Sequence, residues 1–467
     1  MQSLAVFIAA MRIVIIGAGP CGLGAALRLQ ELGVHDFTVY EAHNYVGGLA
    51  TSFEEPAGFT WDLGIHVAHS HYAYIDRLMQ DLLPDGYFHH VRKSWVRLYD
   101  TFVPYPFQYN IRHLPRHALE ECLQGLIDRK PAHAGRAPAN FNEWILAGFG
   151  NGIARHFMAP YNRKIWRTDL DRMGTQWIGD RVPPVDVERV QRNVAQGLDD
   201  VSWGPNATFQ FPKHGGTGAI WNALASRIPT DKIRRSTALV SLDAPKRIAR
   251  FSDGTSDAYD WIISTIPLPH LTRLVGDKGL HALARQLRST HVDIVGLAFP
   301  APLPEQLRDK TWLYCPEDRA GFYRATPFSL LSPDHVPDVE RWCTFVCETS
   351  TEGSAPLQHP SVVRDTIDGL HALGLSPRDT LPAHTFHRAL EFGYPVPTVD
   401  RDHILSKLLP GLEGLNILSR GRFGGWKYEV SNMDHSVMQG VEAAERLVAG
   451  TPEITLFDPA AVNAGKR

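Results

Sequence analysis

A short β-branched run, Arg12 to Ile16, ends in Gly17, and Gly17, Gly19 and Gly22 then space out G-x-G-x-x-G before a helix-like stretch that reaches Gly33. Phe37 to Glu41 reads as a second strand, so the opening of the chain is a β-α-β unit. The first glycine of such a turn permits the sharp bend, the second lets the backbone approach a pyrophosphate, and the third allows the helix to pack closely on the strand. Alone, three glycines in a strand-to-helix turn are also compatible with a plain structural bend. What moves the reading is Glu41, 19 residues beyond Gly22 at the end of the second strand, where a carboxylate can accept hydrogen bonds from both hydroxyls of a ribose. The helix N-terminus supplies free N–H groups and partial positive charge for phosphates.

The 467-residue chain has room for two to four domains, and its 44% hydrophobic content can fill several cores. From about Leu114 to Gln196 the pattern is helical, including Phe141 to Gly148 and Ile153 to Met158. Strand signals return at Ala238 to Leu242, Ile248 to Phe251 and Trp261 to Thr265, a predicted meander on the flank of the first sheet. Val292 to Phe299 and Trp342 to Glu348 predict a further β-rich unit, and the chain from Thr398 returns to the first domain. Lys130 to Pro138 reads as a surface loop. The net charge is −3, with 47 basic and 50 acidic residues interspersed, which argues against a nucleic-acid or membrane-surface partner. Five cysteines without zinc-ligand spacing predict reduced thiols and a cytoplasmic protein. Met1 to Ala10 lacks the basic start of a signal peptide, and no apolar stretch reaches the roughly 18 residues that span a bilayer.

Gly47-Gly48, soon after Glu41, resembles the second signature of the FAD branch of this fold rather than the NAD branch. Pro212 to Gly218, PKHGGTG, looks like a mid-chain flavin-contact loop, and Ser419 to Phe423, SRGRF, before a helix, looks like a third element. Beyond these, WDLGIHVAHSHY (Trp61 to Tyr72), VPYPFQYNI (Val103 to Ile111) and PYNRKIW (Pro160 to Trp166) resemble eukaryotic-type UDP-galactopyranose mutases, within the amine-oxidase-like FAD superfamily. WIGDRV, WGPNATF, FYRAT, GYPVPT and GRFGGWKYEVSNMDH continue the resemblance in the same order, from about Arg12 to Gly450.

The fold that this resemblance implies is α/β: a Rossmann-type FAD-binding domain (residues 11–90, 207–290 and 396–455), an inserted helical domain (112–206) and an antiparallel β-sheet substrate domain (91–111 and 291–395). The implied activity interconverts UDP-galactopyranose and UDP-galactofuranose, or a related NDP-sugar, through an N5 flavin–sugar adduct of reduced FAD, with NAD(P)H as reductant. An FAD-dependent oxidoreductase of the amine-oxidase or protoporphyrinogen-oxidase type is the alternative, and a binding protein for another nucleotide sugar is a third reading. The implied partner is a UDP-sugar; a homo-oligomer is left open.

Residue by residue, the resemblance assigns Gly17, Gly19, Gly22, Glu41, Gly47, Gly48, Gly64, His66, Val240, Arg422, Asn432 and Met433 to the cofactor. Arg181 and Arg324 match two pyrophosphate arginines, and with His66 form the implied catalytic set. A near-neutral protein needs such fixed guanidinium groups to meet a diphosphate's two negative charges, a surface ion pair being the lesser alternative for each. Tyr314, Tyr394 and Tyr428 match phosphate and sugar contacts. Tyr105, Phe107, Gln108, Phe157, Asn162 and Trp166 match the uridine end, where aromatics stack and amides pair with a pyrimidine edge. Arg92, Asn206, Trp312 and Asn432 complete the substrate set. His69 and His71 suit no common zinc frame and have no carboxylate or cysteine nearby in the sequence, so they read as polar neighbours of the site rather than metal ligands. Three departures stand out: Ile65 where relatives carry a glycine able to take φ > 0, Leu331 where a pyrophosphate-contacting tyrosine usually lies, and Met433 in place of a glutamine beside the flavin.

Overall fold

The computed structural model describes residues 11–130, 137–182, 184–201, 207–355, 357, 360–376 and 380–467. Ile13–Ile16 is buried on both faces, which a fully apolar run requires, and it forms the centre of a five-stranded parallel sheet. The neighbours are Phe37–Tyr40 on one side and Trp261–Ser264 on the other, with Ile13 in register with Phe37 and Trp261. Ile417–Ser419 and Ile233–Arg234 form the two edges. Trp261–Ser264 is therefore not part of the meander: the three-stranded antiparallel sheet takes Leu239–Asp243, Ile248–Phe251 and the short, polar Ser256–Ala258 instead. The burial of Ile262 and Ile263 explains the difference, because a flank strand exposes one face whereas WIIS has none to expose.

Two helices lie against this sheet in intimate contact. Pro20–Glu31 packs on Met433–Ala449, and a side chain on Gly440 would collide with the backbone carbonyl oxygen of Cys21. The first strand–turn–helix unit and the last helix are thus locked together although more than 400 residues separate them in sequence, roughly the whole chain length.

A second, seven-stranded sheet runs in the order 384–395, 289–300, 342–352, 324–327, 312–314, 94–98, 101–104. Its long central strands, Ser289–Pro300 and Trp342–Glu352, pair antiparallel along eleven residue pairs, from Thr290 with Glu352 to Pro300 with Trp342. Only the joint between Ser94–Leu98 and Trp312–Tyr314 is parallel. Between the sheets in sequence lies a helical group, Arg116–Asp128, Phe141–Ile153, Ala159–Trp166 and Val187–Gln196, built on Phe141, Ile145, Phe149 and Trp166. The loop expected at Lys130 to Pro138 falls largely outside the described residues. All five cysteines are free and buried, as the sequence predicts for reduced thiols. Among the described residues no helix is long and apolar enough to cross a membrane.

Candidate functional site

The turn after the first strand is shaped by what would collide with it. Gly17 has φ +99°, and a Cβ there would strike the Thr265 hydroxyl; a Cβ on Gly22 would strike the carbonyl oxygen of Gly17. Gly19 caps the helix in an extended conformation without a side-chain cap, so the first-turn amides of Cys21 and Gly22 keep no intrahelical acceptor. Gly48 closes in from the other side, its Cα 3.8 Å from where a Gly19 Cβ would stand, while the Gly47 amide donates to Ala18 at 2.9 Å. Glu41 is buried, and its two oxygens accept from the Ala18 and His43 amides at 2.7 and 2.9 Å. Each carboxylate oxygen retains a further lone pair for a ribose hydroxyl.

Gly17, Gly19, Glu41 and Gly48 border a cleft of about 930 Å³ that runs past Ile65 and His66 to Arg422, Asn432 and Met433, whereas Gly22, Gly47 and Gly64 shape the backbone without lining it. A glycine cradle, unpaired helix amides and a ribose-facing acid in one continuous cleft fit a bound dinucleotide. Two expected contributors fall elsewhere. Val240 is exposed and does not line the cleft; its neighbours Ala238 and Leu239 do, because the strand alternates and turns Val240 outward. None of Pro212–Gly218 lines the cleft either. That loop braces the site from behind, the Thr217 hydroxyl lying 2.7 Å from both an Asp62 carboxyl oxygen and the His66 carbonyl.

The loop from Gly64 to Tyr72 joins this cleft to the next. The positive φ sits at Gly64 (+91°), and Ile65 avoids that region, so the β-branched residue introduces no strain. Ile65 is instead buried in the apolar cluster with Leu63, Ile294 and Phe386. Leu331 belongs to the same cluster and is fully buried; it lines neither cleft. The turn Phe328–Leu330 rolls it inward against Phe328, so a diphosphate contact at this position is absent. His66 lies with Nδ1 3.2 Å from the Gly64 carbonyl, and burial, reinforced by Arg422, pushes its imidazole down to about 4, so it stays neutral at neutral pH.

A second cleft of about 700 Å³ opens from the first through Arg324, Tyr394, Tyr428 and Asn432, which line both. Its walls hold Arg92, Tyr105, Gln108, Phe157, Asn162 and Trp166, and further along Arg181 and Tyr314. Aromatic edges interlock there: Trp166 meets Tyr428 at 4.9 Å, and Tyr105 meets Tyr314 at 5.4 Å. Phe107 is fully buried behind the wall, stacked on Phe157 at 4.6 Å, so it supports the lining without reaching the cleft. Trp312 borders the first cleft rather than the second, under the Arg324 guanidinium at 4.7 Å. Asn206 lies outside the described residues.

The two arginines differ in charge state of their surroundings. Arg324 is held by Glu348 through two bonds of 2.6 and 2.5 Å, and Tyr323 donates to the same carboxylate at 2.6 Å. Burial raises the Glu348 carboxyl, but Arg324 outweighs it and keeps it below its ordinary value. Arg181 is anchored on neutral groups, the Glu429 carbonyl at 2.6 Å and the Trp177 carbonyl at 3.4 Å, and so retains its net charge among the described residues. Glu348 is a site residue that the sequence reading omits. Its signal is a lone carboxylate in the otherwise apolar strand WCTFVCETS, where an acid survives burial only when paired.

The histidine-rich loop also needs correction, because a carboxylate does lie beside it. Asp434, 363 residues away, stands 2.7 Å from His71 Nδ1, and His435 packs behind. Ligand atoms of His71, Asp434 and His435 gather within 4.8 Å. The two imidazoles are stacked at 4.7 Å and 25°, and stacked rings direct their in-plane lone pairs side by side rather than at one ion. The arrangement is that of a hydrogen-bonded pair with a covering ring.

A parallel sheet with a glycine-lined dinucleotide cleft, opening into an aromatic second chamber, defines a dinucleotide-dependent enzyme of the flavoprotein class. The family profile of flavin containing amine oxidoreductases matches residues 20–448. The crystal structure of a reduced UDP-galactopyranose mutase superposes with a TM-score of 0.94 at 40% identity, covering 98% of both chains. The chain belongs to the flavin containing amine oxidoreductase family and, within it, to the group of the UDP-galactopyranose mutases. A putative protoporphyrinogen oxidase from Exiguobacterium sp. 255-15 shares the fold, with a TM-score of 0.72, 17% identity and 95% of this chain covered against 99% of that one. A probable zeta-carotene desaturase from Synechococcus elongatus is 35% identical over 85 residues, 17% of this chain and 18% of that one, so the match to these curated relatives spans less than a fifth of their length.

Proposed function

We propose that this protein is a nucleotide-sugar mutase that interconverts UDP-galactopyranose and UDP-galactofuranose, or a related NDP-sugar, with FAD as cofactor and NAD(P)H as the source of its reduced form. The observation that carries this reading is the continuity of the two clefts: Arg324, Tyr394, Tyr428 and Asn432 face the cofactor cleft and the aromatic cleft at once. A sugar at their junction would meet the flavin while its nucleotide extends into the second chamber. The similarity to the reduced UDP-galactopyranose mutase over 98% of both chains supports it.

Reduced flavin, when bound, supplies an electron-rich ring nitrogen for attack at the anomeric carbon, with no net redox change over the cycle. The chain's own groups would do the positioning. Glu41 holds the ribose and the Gly19 turn admits the cofactor's pyrophosphate. Arg181 contributes net positive charge to the substrate diphosphate, and Arg324, oriented by Glu348, contributes directed donors; each charge-assisted bond is worth about 1.5–3 kcal/mol. Tyr105 and Phe157 offer faces to a pyrimidine, and Gln108 and Asn162 its edge contacts. Neutral His66 can accept or donate one hydrogen bond beside the flavin without adding charge.

The test is to reduce the purified protein anaerobically, supply UDP-galactofuranose and follow UDP-galactopyranose by chromatography. Conversion only after reduction is expected. Reduced protein that binds UDP yet converts no nucleotide sugar would refute the mutase reading, and oxygen-consuming turnover without any nucleotide would favour an oxidase.

A further inference from the structure

His71 borders the nucleotide cleft in an arrangement that binding a diphosphate does not require. Its Nδ1 lies 2.7 Å from Asp434 Oδ2, and its backbone N–H donates to the same oxygen at 3.0 Å. The Asp434 side chain is only 1% exposed and sits in the first turn of the helix Met433–Ala449. The ring and the backbone N–H of His71 both meet Asp434 Oδ2, which places the carboxylate as the acceptor of the two bonds. Nδ1 therefore carries the proton, and Nε2 is the nitrogen free to gain or lose one. The hydrogen bonds of His71 among the described residues run through Nδ1 and the backbone, and the side chain keeps 13% of its surface. A buried carboxylate on one nitrogen of an imidazole that borders a substrate cleft is the geometry of a proton-transfer pair.

His71 packs against its own loop and against the helix Met433–Ala449. His435, stacked on it at 4.7 Å, is pushed down to about 4 by burial, and His69 in the same loop is lowered by the same cause, so neither brings a like charge at neutral pH. On the adjoining helix Ala73–Leu82, Asp76 is paired with Lys466, and the Arg467 backbone amide donates to the His71 carbonyl at 2.7 Å. Arg181 is the like charge along the same cleft.

A proton is also what the chemistry lacks. A sugar diphosphate ester carries about two negative charges, and release of the sugar exposes a terminal phosphate whose second ionisation lies near pH 6, adding about one more. Arg324 is already neutralised by Glu348, leaving Arg181 of that pair to face the increase. Resting on the mutase reading, we propose that His71 is the acid and base for the nucleotide: its Nε2–H proton passes to the β-phosphate oxygen as the bond from that oxygen to the anomeric carbon breaks. The electron pair stays on the oxygen and the imidazolium becomes imidazole. When the oxygen bonds to the anomeric carbon again, the imidazole takes the proton back. Asp434 is the positioning residue that fixes the tautomer.

The test compares the wild-type holoprotein with His71→Gln and Asp434→Asn. UDP affinity of the oxidised protein, followed by the phosphorus resonance of bound UDP, should fall on the alkaline side by about tenfold per pH unit, the slope of one proton, and lose that dependence in His71→Gln. Turnover of the reduced protein should drop about 10²-fold in His71→Gln, the usual yield of one acid–base group, and lose its alkaline limb. Asp434→Asn should move that limb to lower pH. Should His71→Gln fail to load flavin, an unmoved limb in Asp434→Asn overturns the proposal. A His71→Gln enzyme within about threefold of wild type with its limb intact overturns it as well, on the scale set by a single acid–base group. Failure of the wild type to bind UDP at any pH would instead bring down the mutase reading and this proposal together.

Discussion

Replacing Arg324 with alanine is expected to weaken UDP binding about 10²–10⁴-fold, because two charge-assisted bonds of about 1.5–3 kcal/mol each disappear from the diphosphate. The same change strips Glu348 of its partner in a site where that side chain is 3% exposed, which costs about 3–5 kcal/mol of stability when one member of a buried pair is removed. The pH dependence should change sign with it. In the wild type the depressed Glu348 carboxyl adds stability above its unfolded value and loses it as pH falls. In Arg324→Ala burial outweighs the remaining Tyr323 hydrogen bond and raises the carboxyl, so the variant gains stability as pH falls. Adding Glu348→Gln should restore much of the melting temperature and none of the UDP affinity. Calorimetric titration with UDP beside thermal unfolding separates the two effects, and Arg324→Ala binding UDP as tightly as the wild type would contradict the assigned role.

The glycine turn offers an equally sharp contrast between two neighbouring positions. Gly19 has φ −78°, open to any residue, and a Cβ there meets no protein atom closer than 3.8 Å, so the protein alone tolerates Gly19→Ala. The methyl would project into the cleft, and a close-packed pyrophosphate displaced by it should cost about 1–3 kcal/mol, a roughly 10–100-fold loss of flavin affinity. Gly22→Val places its side chain on the Gly17 carbonyl and should prevent folding of the unit altogether. Absorbance of the purified proteins reads flavin content, and unfolding of flavin-free samples reads the fold. A fully yellow Gly19→Ala protein would remove the pyrophosphate from this turn.

What could be read from the sequence was local. The run Ile13–Ile16, the spacing of Gly17, Gly19 and Gly22, and Glu41 at the end of Phe37–Tyr40 are adjacent in the chain, and turn chemistry with strand burial suffices to place them. The strand beginning at Trp342 was equally visible. Partnerships between distant segments were not. Trp261–Ser264 pairs with Ile13–Ile16 across nearly 250 residues, and nothing in four apolar residues separates a central parallel strand from one in a meander. The carboxylates that set the chemistry, Glu348 behind Arg324 and Asp434 behind His71, are recognised only when the fold folds them onto their partners. Leu331, a departure legible in the sequence, turns inward into an apolar cluster with Phe328.

The central claim is that guanidinium groups at the mouth of the second cleft hold a diphosphate so that the sugar reaches the flavin. A crystal structure of the holoprotein with UDP tests it directly. The account predicts the diphosphate between Arg181 and Arg324 with the uracil between Tyr105 and Phe157; UDP bound elsewhere, or in this cleft with its phosphates turned away from both arginines, would contradict it.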